Sequence, residues 1–110
     1  MYRFISAILL GLLLIFPQAS SADNDKSAIL IVSFGTSVPE ARAAINNLVE
    51  TARKNFPESE VRLAFTSNII RRKIARESGE LIQNPVQALA ALNDEGFARV
   101  YVMPTHMIPG

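Results

Sequence analysis

The chain has 110 residues, 49% hydrophobic and 19% charged, with one His and neither Cys nor Trp. This is a globular composition; it excludes disordered, collagen-like and disulfide-rich classes, and without cysteine there is no thiol nucleophile and no Cys-ligated zinc or iron–sulfur centre. Eleven Lys+Arg against ten Asp+Glu give a formal charge of +1, so the basic footprint of a nucleic-acid-binding surface is missing.

Residues 1–22 read as a secretory signal peptide. Arg3 supplies a short basic start, and Ile5 to Phe16 is an apolar run broken only by Ser6 and Gly11. Pro17 ends the run, and Ser20-Ser21-Ala22 places small residues at a cleavage position. As a helix the run covers roughly 18 Å against a hydrocarbon core of ~30 Å, so no stable membrane anchor is expected. Cleavage after Ala22 leaves residues 23–110, in which acidic and basic side chains are equal in number.

Ala28-Ile29-Leu30-Ile31-Val32 is a continuous apolar run, which predicts a strand buried on both faces. Ser37-Val38-Pro39-Glu40 reads as a capping box with Ser37 as N-cap. Val38, Ala41, Ile45, Leu48, Val49, Ala52 and Phe56 then form one apolar helical stripe, with Glu50 and Lys54 as an i,i+4 pair; Pro57 ends the helix near Asn55. Val61, Leu63 and Phe65 alternate with Arg62 and Ala64, a half-polar strand that belongs nearer a sheet edge. Ser67 is placed to cap a helix running to about Glu77, with Ile70 and Ile74 inward and Gly79 as stop. Asn84 caps the next helix, with Pro85 at its first position. Gly96 ends that helix, and Glu95 as C-cap would set Phe97 against Leu92. Arg99 to Met103 is the third strand, closed by Pro104.

The order β-α-β-α-α-β predicts an α/β fold: a three-layer parallel sheet with right-handed crossovers and strand order 2-1-3. That order leaves the third strand without an outer neighbour.

Ligands of open parallel sheets sit beyond the carboxyl ends of the strands. Gly35-Thr36-Ser37, Thr66-Ser67-Asn68 and Thr105-His106 all arrive there. Gly35, Thr36 and Ser37 precede a helix N-terminus, which favours an anionic group; turn and cap roles explain the same residues equally well. No GxGxxG or Walker pattern supports a nucleotide. His106 can ligate a first-row metal or take a proton near neutral pH, or simply close a strand. Arg71-Arg72-Lys73 with Arg76 is either a solvated helix face or a cationic rim for a polycarboxylate.

Ile31-Val32-Ser33-Phe34-Gly35-Thr36-Ser37, Ala64-Phe65-Thr66-Ser67 with Ile70 and Lys73, Pro85 with Gln87-Ala88-Leu89, and His106-Met107-Ile108-Pro109-Gly110 occur in that order. Together they resemble the anaerobic sirohydrochlorin cobaltochelatase family of the single-chain, two-lobed type, and the leader resembles that of its periplasmic branch. The resemblance spans residues 28–110. It implies a flavodoxin-like order 2-1-3 and makes residues 23–110 the N-terminal α/β lobe, half of a two-lobed fold that holds a tetrapyrrole in its cleft.

The activity implied is insertion of a divalent metal, cobalt(II) or alternatively iron, into sirohydrochlorin or a related tetrapyrrole, without ATP. Gly35, Thr36, Ser37, Thr66 and Ser67 would receive the carboxylate fringe of the ring, with Arg71 or Arg72 as attractors. The family's metal-holding histidines and an acidic residue would follow Gly110. On that basis the expectation is a fragment or a truncated copy, inactive alone. His106 matches a family histidine that could ligate haem or a metal at a subunit contact, in a homo-oligomer. The alternative is a periplasmic tetrapyrrole, haem or metal carrier without chelatase activity.

Overall fold

The structure, a computed structural model, describes residues 26–105. The expected signal peptide (residues 1–22) and His106 lie outside the described residues. Among the described residues, no helix is long and apolar enough to cross a membrane.

Three strands, β1 (Ser27–Ser33), β2 (Glu60–Phe65) and β3 (Arg99–Pro104), form one parallel sheet in the order β2-β1-β3. The register sets Ile31 opposite both Leu63 and Met103. Three helices connect them: α1 (Pro39–Asn55), then α2 (Asn68–Ser78) and α3 (Pro85–Asp94) in succession. The α/β class and the order 2-1-3 are as expected from the alternation of elements.

β1 is the central strand, and its side chains alternate between two helical layers. Ile29 and Ile31 pack with Val49 and Ala52 of α1 and Val61 of β2. Leu30 and Val32 pack on the other face with Ala64 and with Ala88 of α3. The first crossover runs from β1 out to β2 and the second back across the sheet from β2 to β3, so a common right hand puts their helices on opposite faces. Leu30 and Ile31 are fully buried, each contributing about 1.5–3 kcal/mol by leaving water. β3 is covered least: Val100 packs on the Leu30–Val32–Ala88 cluster, whereas Tyr101, Val102 and Met103 stay exposed.

Two local expectations are corrected. Ser37 is not the cap of α1. Val38 is the N-cap, extended at φ −83° and ψ 124°, and no side chain caps the helix end. Pro39 takes the first helical position, which its ring favours, and it drives the preceding residue out of helical geometry. That moves the start one residue along and leaves Glu40 out of reach of a capping box. The apolar stripe of α1 is also narrower than its periodicity suggests. Val49 and Ala52 are buried, whereas Val38, Leu48 and Phe56 are exposed. Glu50 pairs with Arg53 at i,i+3 rather than with Lys54.

The other helix ends follow the sequence. Ser67 Oγ accepts from the Ile70 N–H at 3.2 Å, and Gly79 closes α2 at φ +79°. Asn84 and Gln87 exchange side chain-to-backbone bonds in a full capping box at α3. The Gly96 N–H donates to Asn93 O and the Phe97 N–H to Leu92 O, both at 3.1 Å, the paired bonds of a Schellman ending.

Candidate functional site: the carboxyl ends of the strands

Because the strands are parallel, their carboxyl ends meet on one side of the sheet. The segments after them are tied laterally. The Thr66 N–H donates to Ser33 O at 2.9 Å, Ser67 N–H to Phe34 O at 3.0 Å, and Thr105 N–H to Val32 O at 2.9 Å. Gly35-Thr36-Ser37 therefore stands beside Thr66-Ser67, with Thr105 on the far side of β1.

Gly35 makes that approach sterically feasible. Its φ is +111°, a region that L side chains rarely adopt, and a Cβ there would lie 2.8 Å from Cδ2 of Phe65. The Phe65 ring is fully buried beneath it. Arg42 of α1 also stands over the ring, its guanidinium 5.5 Å from the ring centroid. Arg42 also forks onto Glu80 at 3.1 and 2.7 Å. That contact holds the Glu80 carboxyl below the usual carboxylate range, by hydrogen bonding first, against partial burial.

The polar groups at this end are specific in what they offer. Thr36 Oγ1 accepts from the Val38 N–H at 3.0 Å, and Ser67 Oγ accepts from Ile70 N–H. Each hydroxyl has its acceptor side engaged and its proton free to donate. The backbone amides of Thr66 and Ser67 are already spent on the sheet. At α1, Pro39 has no N–H and that of Val38 is taken, which leaves Glu40 and Ala41 as the uncommitted N–H groups of the first turn. The arrangement suits carboxylates arriving at hydroxyl and amide donors. It has no nucleophile–base pair, and among the described residues no cluster of three or more His, Cys, Asp or Glu could hold a metal.

A hollow of about 180 Å³ lies at this end, lined by Thr36, Ser37, Pro39, Arg42, Ile74, Glu77, Ser78 and Glu80. It is smaller than the ~300 Å³ at which ligand pockets begin. Among the described residues, this end thus presents a shallow hollow, not an enclosed pocket. Thr66 and Ser67 lie outside this hollow. Sequence reasoning missed Arg42, which joins α1, the Phe65 ring and the segment after α2; only the fold brings residues 42, 65 and 80 together.

The Arg71-Arg72-Lys73 cluster divides. Arg71 turns inward: Nε donates to Ile82 O at 2.7 Å, Nη1 to Asn68 Oδ1 at 2.8 Å and Nη2 to Gln87 Oε1 at 3.0 Å. It clasps the link between α2 and α3, so it is not a merely solvated helix-face charge. Arg72, Lys73 and Arg76 are exposed or partly so.

Comparison with known proteins bears on this site. A family model described as "Cobalt chelatase (CbiK)" matches residues 27–110. Sirohydrochlorin cobaltochelatase of Salmonella typhimurium (strain LT2) is 36% identical over 88 residues, covering 77% of this chain and 33% of that protein. Sirohydrochlorin cobaltochelatase CbiKC of Nitratidesulfovibrio vulgaris (strain Hildenborough) is 33% identical over 85 residues, covering 77% of this chain and 30% of that protein. The chain spans about a third of the length of the curated relatives it matches. A doubly covered parallel sheet, hydroxyl-lined strand ends and a match across nearly all described residues lead to one assignment: this chain belongs to the cobalt chelatase (CbiK) family.

Proposed function

We propose that this chain is the N-terminal lobe of a sirohydrochlorin cobaltochelatase, and that its strand ends seat the tetrapyrrole substrate. The observation that carries the reading is the lateral tie of Thr66-Ser67 to Ser33-Phe34, which sets Gly35-Thr36-Ser37 beside them, in a chain of this family. Sirohydrochlorin is a flat macrocycle fringed by carboxylates. The free hydroxyl protons of Thr36 and Ser67, the hydroxyls of Ser37 and Thr66, and the Glu40 and Ala41 amides would hold that fringe and fix the orientation of the ring. Gly35 keeps the backbone low enough for the ring to approach.

In this reading the lobe positions the substrate, and the histidines and acid that hold the metal and take up the pyrrole protons come from a second lobe. Cobalt(II) is the substrate metal, with iron(II) as a competing ion. The leader directs the protein to the periplasm, where it forms a homo-oligomer. The support for those last features is the sequence resemblance and the leader.

The test is spectroscopic. Sirohydrochlorin is titrated with the purified chain, and its absorption band is followed before and after addition of cobalt(II) or iron(II). Binding without insertion is expected, weakened roughly fivefold by Thr66→Val or Ser37→Ala through loss of one hydrogen bond. Insertion is expected only once a second lobe is joined. No spectral change with sirohydrochlorin would reject the seat. Haem binding lost in His106→Ala, with no insertion by the two-lobed protein, would identify a carrier instead.

A further inference from the structure

Beyond the strand ends, an open groove of about 930 Å³ runs along the outer side of β2. Its floor is Glu60 to Leu63; its walls include Arg42, Arg53, Arg71, Arg72, Leu81 and Ile82. We propose that this groove docks an extended acidic segment of a partner polypeptide, which adds as a strand beside Leu63 and places carboxylates on Arg71 and Arg72.

Two bonds fix which way the edge faces. The Phe65 N–H leaves the sheet to donate to Gln83 O at 3.0 Å. Val61 O accepts from Arg53 Nη2 at 3.4 Å. Backbone groups two residues apart in a strand point to the same side, so the N–H and C=O of Leu63, between them, also face the groove. The Gln83–Phe65 bond is thus one rung of an outer ladder that the chain itself does not continue. An unfilled strand edge is a template for a further strand.

Charge selects the occupant. Arg42 is matched by Glu80, Arg53 by Glu50, and Arg62 by Glu60 and Glu95. Arg71 is bound only to neutral oxygens, which fix its plane and leave two of its five N–H donors unspent. Arg72 has no hydrogen-bond or ion-pair partner among the described residues. The groove therefore carries two uncompensated cations beside an open backbone edge, with the 86%-exposed Leu81 as an apolar wall. A second copy of this chain would bring the same arginines face to face, and like charges oppose that pairing. An alternating apolar and acidic segment matches edge, wall and charge together.

The test is fluorescence anisotropy of a labelled heptapeptide alternating glutamate and valine, titrated with the full chain, together with hydrogen exchange at the Leu63 amide. Expected are saturable binding that weakens with salt, slowed exchange at Leu63 when the peptide is present, and roughly tenfold weaker binding in Arg72→Glu. Arg72 is exposed, so this variant keeps the fold; unchanged circular dichroism confirms it. Equal binding of an acidic peptide interrupted by proline would overturn strand addition. Equal binding of a control heptapeptide alternating lysine and valine, or no effect of Arg72→Glu, would overturn the charge match. Protection of Leu63 by self-association alone would assign the groove to a second copy.

Discussion

At residue scale, two side chains and one missing side chain organise the strand ends. Gly35 permits close approach of the backbone to the Phe65 ring, and the Arg42 guanidinium stands over the same ring. In Gly35→Ala the new Cβ meets the ring while φ stays in a strained region. The expected cost is about 2 kcal/mol or more, read as a lower urea midpoint with an unchanged m-value. Arg71 makes three bonds to acceptors up to 16 residues away. Arg71→Met should cost roughly 1–3 kcal/mol, because the Ile82 carbonyl and the Asn68 amide oxygen lose the Arg71 donor, while Gln87 Oε1 keeps only the Asn84 N–H. Denaturation with amide exchange across 79–84 checks it; a variant of wild-type stability would show the clasp to be dispensable. Gly35 was legible as a turn glycine. The roles of Arg42 and Arg71 were not, since an arginine in a helix reads as a solvated charge until its distant acceptors are in place.

At element scale, the helix ends differ in how they are satisfied. α2 and α3 have side-chain caps, and α1 has none. Val38 occupies its N-cap in extended geometry and is exposed. Val38→Asp places a carboxylate where it can accept from a first-turn amide and complement the helix dipole. A gain of about 0.5–1 kcal/mol is expected, measured as a raised thermal midpoint; a loss would mean that the Thr36–Val38 turn cannot accommodate the new acceptor. The caps at Ser67 and Asn84 were readable because each precedes a helix with its partner at fixed spacing. The Ser37 reading failed because two rules competed: a serine three residues before a glutamate against a proline that claims the first helical position. Proline prevails, since its ring constrains both its own φ and the residue before it.

At the scale of the whole molecule, two surface ion pairs link separate elements and respond to pH. Glu95 hydrogen-bonds Arg62, which draws its carboxyl below the usual range and raises the guanidinium correspondingly. Glu80 is lowered in the same way by Arg42. Both folded values lie below the unfolded ones. Their stabilisation is therefore present above the ordinary carboxylate range and is lost as pH falls through it to the lower folded values. Stability should decline from neutral pH to ~3. Glu80→Gln should flatten that slope while lowering stability at neutral pH, as measured by urea midpoints across the range. A slope unchanged by the substitution would show that the pair adds nothing to folding.

Binary pattern and punctuation alone determined the element order, the central place of the unbroken apolar strand and the caps of two helices, because these depend on short-range sterics and on side-chain periodicity. They also carried the family resemblance, through hydroxyl-rich segments at each strand end. Tertiary structure decided what long-range geometry controls: the burial of only part of the α1 stripe, the Arg42–Phe65–Glu80 junction, the inward turn of Arg71 and the open outer edge of β2. Each depends on which segments the crossovers bring side by side, and no local pattern encodes that distance.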